Sequence, residues 1–324
     1  MSSADSVGSG LAGYDIVGDV HGCGGLLIKL LHKLGYEQDK GCFRHPHRQV
    51  IFLGDLIDRG PEICETVAVV KAMVEGGAAL MVLGNHEYAA ITYSTPAPGH
   101  MGRPYLRQHS HRIKRMLSET LKQYEHRKEE WADLVEWWRT LPLFLEFANF
   151  RVVHACWDDD KVADLRALSQ DHSLRDDNFL VKSVQPGTPE NRIVERLLKG
   201  TDMPLPEGLT FKSADGLVRD RFRTKFWKAE PETYSDVVFQ PDRIPAHLLK
   251  KKLSQGEKAR LIHYGDNERP LFVGHYWRTG KPRLICRNIA CLDYGAVNRG
   301  KLVAYRMDCD QSVLADEGFV WVSA

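Results

Sequence analysis

Five short apolar stretches punctuate the chain, and each runs directly into a polar turn. Tyr14 to Val17 leads into Gly18-Asp19-Val20-His21-Gly22, and Gln49 to Leu53 leads into Gly54-Asp55. Ala79 to Leu83 leads into Gly84-Asn85-His86-Glu87, Phe150 to Val153 into His154, and Leu271 to Val273 into Gly274-His275. Short aliphatic runs with β-branched residues predict buried strands rather than helices. Glycine precedes the polar residue in four of the five cases, where it permits a tight turn and close backbone approach to a ligand. Between the strands, Leu26 to Leu34 has the spacing of an amphipathic helix. Cys64 to Glu75 predicts a second helix that stops at Gly76-Gly77. Tyr105 to Thr140, polar and charged, predicts a long helix ended by Pro142. Trp131, Leu134, Val135 and Trp138 fall at helical spacing in it and read as a core-facing stripe.

Strands alternating with helices predict an α/β architecture. The stretch 157–264 is rich in Asp, Lys, Arg and Pro and offers few clear strands. It lies between His154 and His275, so it reads as an insertion inside one domain spanning 14–324. Met1 to Gly13 is small and polar and reads as a disordered leader.

Composition narrows the class. With 324 residues, 43% apolar, the chain can bury a large core. A net charge of +1 gives no sign of a nucleic-acid coat or a polybasic membrane patch. No window approaches the ~18 apolar residues of a membrane span. The first residues lack a basic start followed by an apolar run, which excludes a signal-peptide reading. The seven cysteines are odd in number, irregularly spaced and without a CxxC pair. Free thiols in a reducing cytoplasm are expected.

The residue types at the strand ends carry the chemical argument. A lone Asp-x-His is weak evidence. Gly54 to Pro61 places two carboxylates and a guanidinium in a turn after a buried strand, and Gly84 to Glu87 adds an amide and an imidazole. A packed core has no use for Asp19, His21, Asp55, Asn85, His154 and His275 at five strand ends. Two divalent cations about 3.5–4 Å apart need an anionic ligand they can share, and a carboxylate supplies it. Mixed carboxylate and imidazole ligation suits manganese, iron or zinc. A water shared by such cations is acidified towards a hydroxide nucleophile for in-line attack on phosphorus. Arg59 has the fork geometry for a phosphate, against the plainer reading of a salt bridge. His86 is placed to protonate a leaving oxygen, with Asp58 orienting it, against the plainer reading of a loop histidine. His100, His109 and His111 read as solvent-exposed surface. Cys23, two residues past His21, is either an oxidation-sensitive thiol or an inert buried one.

Gly18 to Gly22, Gly54 to Pro61 and Gly84 to Glu87 together resemble the metallophosphoesterase signature. More closely they resemble the calcineurin-like phosphoprotein-phosphatase superfamily, which includes Ser/Thr phosphatases and diadenosine tetraphosphatases. Leu141-Pro142-Leu143 ahead of His154, and Gly274-His275, are similar to the later motifs of that family. The resemblance implies a central β-sandwich of mixed sheets flanked by helices. It implies two divalent ions, manganese first, with iron, zinc or nickel as alternatives. Asp19, His21 and Asp55 would hold one, and Asp55, Asn85, His154 and His275 the other. Asp58 and His86 would form the acid pair, with Arg59 on the phosphate. Two departures stand out. Ala155-Cys156 follows His154, where eukaryotic members carry Gly-Gly. A second phosphate-binding arginine has no clear match, and Arg221 and Arg223 are the candidates, Arg223 being taken as substrate-binding.

The first functional reading is a phosphomonoesterase of the Ser/Thr phosphatase type. The alternative is a bis(5'-nucleosyl)-tetraphosphatase, since the run Asp15 to Gly35 resembles bacterial members that include such enzymes. A catalytically silent scaffold is disfavoured because all six ligand positions are present. The expected partner is a phosphorylated substrate, either a phosphoprotein or a dinucleoside polyphosphate. A membrane is not expected, and long nucleic acid is disfavoured by the neutral charge.

Overall fold

The computed structural model describes residues 10–206, 208–212, 218–239 and 244–323. Residues 1–9 of the expected leader lie outside that range. Its last residues are already part of the fold, since Ala12 N donates to His47 O at 2.7 Å and Gly13 opens the first strand.

Two sheets form the centre of the molecule. In the larger, Gly13–Val17 pairs parallel with Arg48–Phe52, which pairs parallel with Ala79–Met81. Lys301–Asp308 pairs antiparallel with Gly13–Val17 on its other edge, and Phe319–Ser323 and Asp293–Tyr294 pair antiparallel with Lys301–Asp308. In the smaller, Leu271–Val273 lies parallel to both Ile289–Cys291 and Arg151–Val153, and Phe144–Glu146 closes the edge antiparallel to Arg151–Val153.

Period-two alternation decides which side chains meet between the sheets. Ile16, Ile51, Leu53 and Val303 of one sheet pack with Val152, Phe272 and Ala290 of the other in one buried cluster. The alternate residues Val17, Val50, Phe52, Val153, Leu271 and Val273 face outward into a second, larger cluster under the helices. Each such side chain, taken fully from water, contributes about 1.5–3 kcal/mol before chain entropy is counted. The helices Gly24–Leu34 and Ile63–Glu75 cover one outer face with Leu27, Leu30, Leu31, Val67, Val70 and Met73. The result is a mixed α/β sandwich flanked by helices, as the strand-and-turn pattern and the resemblance implied.

One expectation from the sequence is corrected. The long helix over Tyr105 to Thr140 is instead three helices, His111–Met116, Ser118–Gln123 and Lys128–Arg139. Residues before 111 are held by neighbours: Leu106 N donates to Thr95 O and Arg107 N to Thr92 O. Below them Thr120 is drawn inward to Asp58, while Leu134, Val135 and Trp138 face the core as the stripe predicted. No single straight axis serves all these contacts.

The stretch 157–264, which offered few clear strands, opens with helices. Three helices, Asp159–Leu168, Asp177–Ser183 and Pro189–Lys199, begin at Asp158, Asp176 and Thr188, whose side chains accept backbone N–H groups at 3.3, 2.6 and 3.1 Å. Their apolar faces join the large cluster through Val162, Leu165, Ile193, Val194 and Leu197. Beyond Gly200 the character changes. The hairpin of Thr201–Pro204 with Arg221–Thr224 and short helices at Tyr234–Val237 and Ala246–Leu249 build a small core of their own around Met203, Phe222, Tyr234 and Leu248.

Candidate active site

Parallel strands bring their carboxyl ends to one rim, and that is where an open sheet binds ligands. Asp19 and His21 follow Val17, Asp55 follows Phe52, and Asn85 and His86 open the helix Asn85–Ser94 after Met81. His154 follows Val153 and His275 follows Val273. The turns pack against each other without room for side chains. A Cβ on Gly84 would stand 2.2 Å from Asp55 N, and one on Gly274 would stand 2.1 Å from Asp19 Oδ1. Five site residues carry left-handed backbone: His21, Asp55, Asp58, Arg59 and His275, with φ of 47, 53, 67, 69 and 60°. Each such residue costs roughly 1–3 kcal/mol and persists only where its surroundings hold it, which marks the rim as functional.

All six predicted ligand residues converge. The ligand atoms of His21, Asp55 and His86 lie within 4.8 Å of one another, and so do those of Asp55, His154 and His275. Asp55 belongs to both groups. Its Oδ1 accepts His86 N at 2.9 Å, leaving Oδ2 at 3.7 Å from His21 Nε2, 3.8 Å from His86 Nε2 and 3.6 Å from His154 Nε2. Asp19 is held by His275 N, at 3.1 Å from Oδ2 and 3.3 Å from Oδ1.

The donor set fits divalent cations on electronic grounds. His21 Nδ1 is 2.8 Å from Ile57 O and His154 Nδ1 is 2.7 Å from Leu53 O. A carbonyl can only accept, so each Nδ1 carries the proton and each Nε2 presents a lone pair. His154 Nε2 then faces Asn85 Oδ1 at 3.1 Å. Two acceptors so placed repel unless a cation lies beside them. His21 Nε2 and His275 Nε2 are buried with no hydrogen-bond partner. Burial, with the charges of Asp293 and Asp55 beside it, pushes the Asp19 carboxyl well above its usual range. Burial also drives His21 and His275 well below the usual imidazole range, helped by Arg59 at His21 and by Arg223 at His275. Neutral imidazoles among crowded carboxylates are what divalent ions require.

His86 belongs to a different arrangement. Its Nδ1 is 2.6 Å from Asp58 Oδ2, and Arg59 Nη2 approaches its Nε2 at 3.2 Å. Both ring nitrogens are thus engaged by protein side chains, besides the approach of Nε2 to Asp55. Burial works against charge on His86, but the carboxylates of Asp55 and Asp58 outweigh it and raise its pKa. Asp58 is fixed in turn by Thr120, whose Oγ1 donates to Asp58 Oδ1 at 2.5 Å and accepts Asp58 N at 3.0 Å.

The two arginine candidates separate. Arg221 pairs with Asp202 through both terminal oxygens at 2.7 and 2.8 Å. Arg223, on the same strand, is the one whose charge reaches His275 and Tyr276. His100 and His111 are exposed as expected. His109 is not: its ring stacks on Tyr93 at 3.6 Å and on Tyr105 at 4.4 Å between centroids. Cys23 is buried and its thiol is pushed up to about 11 by that burial, which makes it inert near neutral pH. All seven cysteines are free.

Three residues escaped the sequence reading. Glu87 is fully buried and accepts the N–H groups of Asp55, Leu56 and Ile57 at 2.8, 2.8 and 3.3 Å, so it shapes the turn that aims Asp55. Burial and the Asp55 charge raise its carboxyl to about 7. Asp293 follows the parallel strand Ile289–Cys291 and lies buried near Asp19. Its signal was available, because an apolar run ending in a carboxylate repeats the pattern of the other strand ends. Thr120 had no signal, since it meets Asp58 across 62 positions of sequence.

A family model described as calcineurin-like phosphoesterase matches residues 14–202. The chain belongs to that family. The asymmetrical bis(5'-nucleosyl)-tetraphosphatase PrpE of a Geobacillus species is 52% identical over 73 residues, which make up 22% of this calcineurin-like chain and 30% of the relative. The symmetrical bis(5'-nucleosyl)-tetraphosphatase of a Marinomonas species is 33% identical over 161 residues, 46% of this chain and 48% of the relative. The chain thus spans about a third to a half of the relatives it matches. A protein serine/threonine phosphatase from Saccharomyces cerevisiae has the same fold, with a TM-score of 0.51 at 13% identity over 97% of this chain and 80% of that one. Among the described residues, no helix is long and apolar enough to cross a membrane.

Proposed function

We infer that this chain is a two-metal phosphoester hydrolase, and that its six strand-end residues hold the metals. The observation that carries this reading is the Oδ2 of Asp55, 3.7 Å from His21 Nε2 of one proposed ligand set and 3.6 Å from His154 Nε2 of the other. Asp19, His21 and Asp55 would take one ion, and Asp55, Asn85, His154 and His275 the other, with manganese as the first choice. When bound, two such ions activate water and offset charge on the phosphate oxygens.

The protein's own groups do the rest. Arg59 offers a guanidinium fork to two phosphate oxygens. In the structure it donates to His86 Nε2, so a phosphate that draws Arg59 away frees that nitrogen to carry a proton. Protonated His86 then delivers it to the leaving oxygen, while Asp58 fixes the ring and stabilises its charge. Arg223, whose charge acts on His275, would serve as a second cation for the substrate. The stretch 157–264 is read as an insertion within one catalytic domain spanning 14–324.

For the substrate we favour a dinucleoside polyphosphate over a phosphoprotein. The support is the activity named for both relatives above, together with the cations described below. The test is product analysis with manganese, offering diadenosine tetraphosphate beside a phosphoserine peptide. Adenosine diphosphate alone would mark symmetrical cleavage, and a monophosphate and triphosphate pair asymmetrical cleavage. Inorganic phosphate from the peptide, with the dinucleotide left intact, would return the chain to the Ser/Thr phosphatase reading. No turnover of either with any transition metal would overturn the hydrolase.

A further inference from the structure

The helix Asn85–Ser94 starts at the metal rim and continues away from it. At 100° per residue, Thr92 returns to almost the same face as Asn85, and Tyr88 lies beside them. That face is covered by cations. Arg107 donates from Nε to Thr92 Oγ1 at 2.7 Å and sets its guanidinium 5.4 Å from the centre of the Tyr88 ring. Lys199 Nζ lies 6.0 Å from the centre of the same ring. Gly200 follows it, packed so closely on Tyr276 that a Cβ would stand 2.1 Å from the phenol oxygen, and Tyr276 adjoins His275. The cations therefore begin beside the rim and extend one to two helical turns from Asn85, roughly 5–10 Å along the axis.

Arg103 and Arg112 lie close enough for their charges to act on Arg107. Glu195, paired with Lys199, is the carboxylate that acts on Arg107 and Lys199. Arg103 Nε is buried with no hydrogen-bond partner. Burial lowers the pKa of both Arg107 and Lys199, and their neighbouring cations lower it further. Cations gathered this closely are a poor arrangement for stability and a good one for an anion. The backbone that carries them is fixed rather than loose. Pro96 bridges to Tyr105, Ala97 N donates to Pro104 O at 3.0 Å, and His109 is clamped between Tyr93 and Tyr105.

We propose that Arg103, Arg107, Arg112 and Lys199 form an anion subsite that takes the uncleaved phosphates of a linear polyphosphate whose reacting phosphate lies at the metal rim. This rests on the hydrolase reading and gives its site a substrate class: a chain of several phosphates, free or nucleoside-linked. No bond is made or broken at the subsite; it holds the remainder of the chain in register with the rim.

The test uses the full chain with manganese in excess, hydrolysing p-nitrophenyl phosphate. Inorganic tripolyphosphate should inhibit at least about tenfold more tightly than orthophosphate, the worth of one charge-assisted hydrogen bond. Arg107→Ala with Arg112→Ala should abolish that preference. Arg112→Glu, at an exposed position that leaves the Thr92 contact intact, should do the same if the double variant folds poorly. Lys40→Glu, an equal charge change on a distant exposed turn, should keep the preference. A wild type that cannot tell tripolyphosphate from orthophosphate overturns the subsite, and so do variants that retain the preference. Adenosine tetraphosphate in the same assay separates the sources: tighter inhibition than by tripolyphosphate assigns the subsite to a nucleoside-linked chain, and equal inhibition to the phosphates alone. Cleavage of the phosphopeptide but not of the dinucleotide would sink the substrate reading without touching this result.

Discussion

The segment 14–95 and the segment 201–258 are built on opposite terms. In the first, the three parallel strands Gly13–Val17, Arg48–Phe52 and Ala79–Met81 lie in the larger sheet, and the rim turns that follow them carry strained backbone at His21, Asp55, Asp58 and Arg59 and glycines, Gly54 and Gly84, that allow no Cβ. In the second, two-residue and four-residue strands enclose a core of ten buried apolar residues among those described, and Arg221 and Arg223 stand exposed on one of those strands. The family match ends at 202, where the second begins. The contrast teaches a division of labour: geometry that must be held to a fraction of an ångström is carried by the sandwich, and charge that need only be near the substrate is carried by a lighter structure.

The largest effect should come from breaking the first segment at its shared atom. Asp55→Asn should cost more than the ~100-fold that a merely supporting partner of a metal site is worth, and metal analysis should show both ions depleted. Retention of one full equivalent would remove the bridging role. Next comes the acid pair. His86→Asn should lose about 10²–10⁴-fold on alkyl phosphates and much less on activated aryl phosphates, since only poor leaving groups need the proton. Thr120→Val should give a milder version of the same selective loss in kcat with KM unmoved, and Thr120→Ser should restore it. An equal loss on both substrate types would assign these residues a structural role instead. The smallest effect on chemistry should come from the second segment. Phe222→Ala, which removes about 3–5 kcal/mol of packing from the small core, should speed hydrogen exchange across 201–258 while metal content and protection of 14–95 stay as they were. Loss of metal in that variant would show that the two segments are not separable.

What could be read from the sequence follows the same line. The strand ends were legible because both halves of the signal are local: a short continuous apolar run, then a ligand-type residue within three positions. The fold class followed from the alternation of those runs with helical spacing. Asp293 obeyed the rule but followed a short run, Ile289–Cys291, not counted among the strands. Glu87 sat inside a recognised motif, yet its three backbone partners lie about 30 positions upstream, so its task was invisible. Thr120 and the break-up of 105–140 depend wholly on tertiary contacts. The helices after 157 were masked by surface charge, although Asp158, Asp176 and Thr188 announce each start once the caps are sought.

The register of one strand has a consequence for how the molecule is made. Gly13–Val17 lies between Arg48–Phe52 and Lys301–Asp308, and Asp15 is fully buried against Arg48 and Arg306, the latter 291 positions later. A ribosome adding about 5–20 residues per second therefore exposes the Asp19 and His21 turn well before the strand that seals its sheet has emerged. During that interval the nascent chain carries an open sheet edge and a carboxylate, Asp15, that has Arg48 but still lacks Arg306. It is the period in which a chaperone would matter most to this protein, and in which a metal ion arriving early would find only part of its cage.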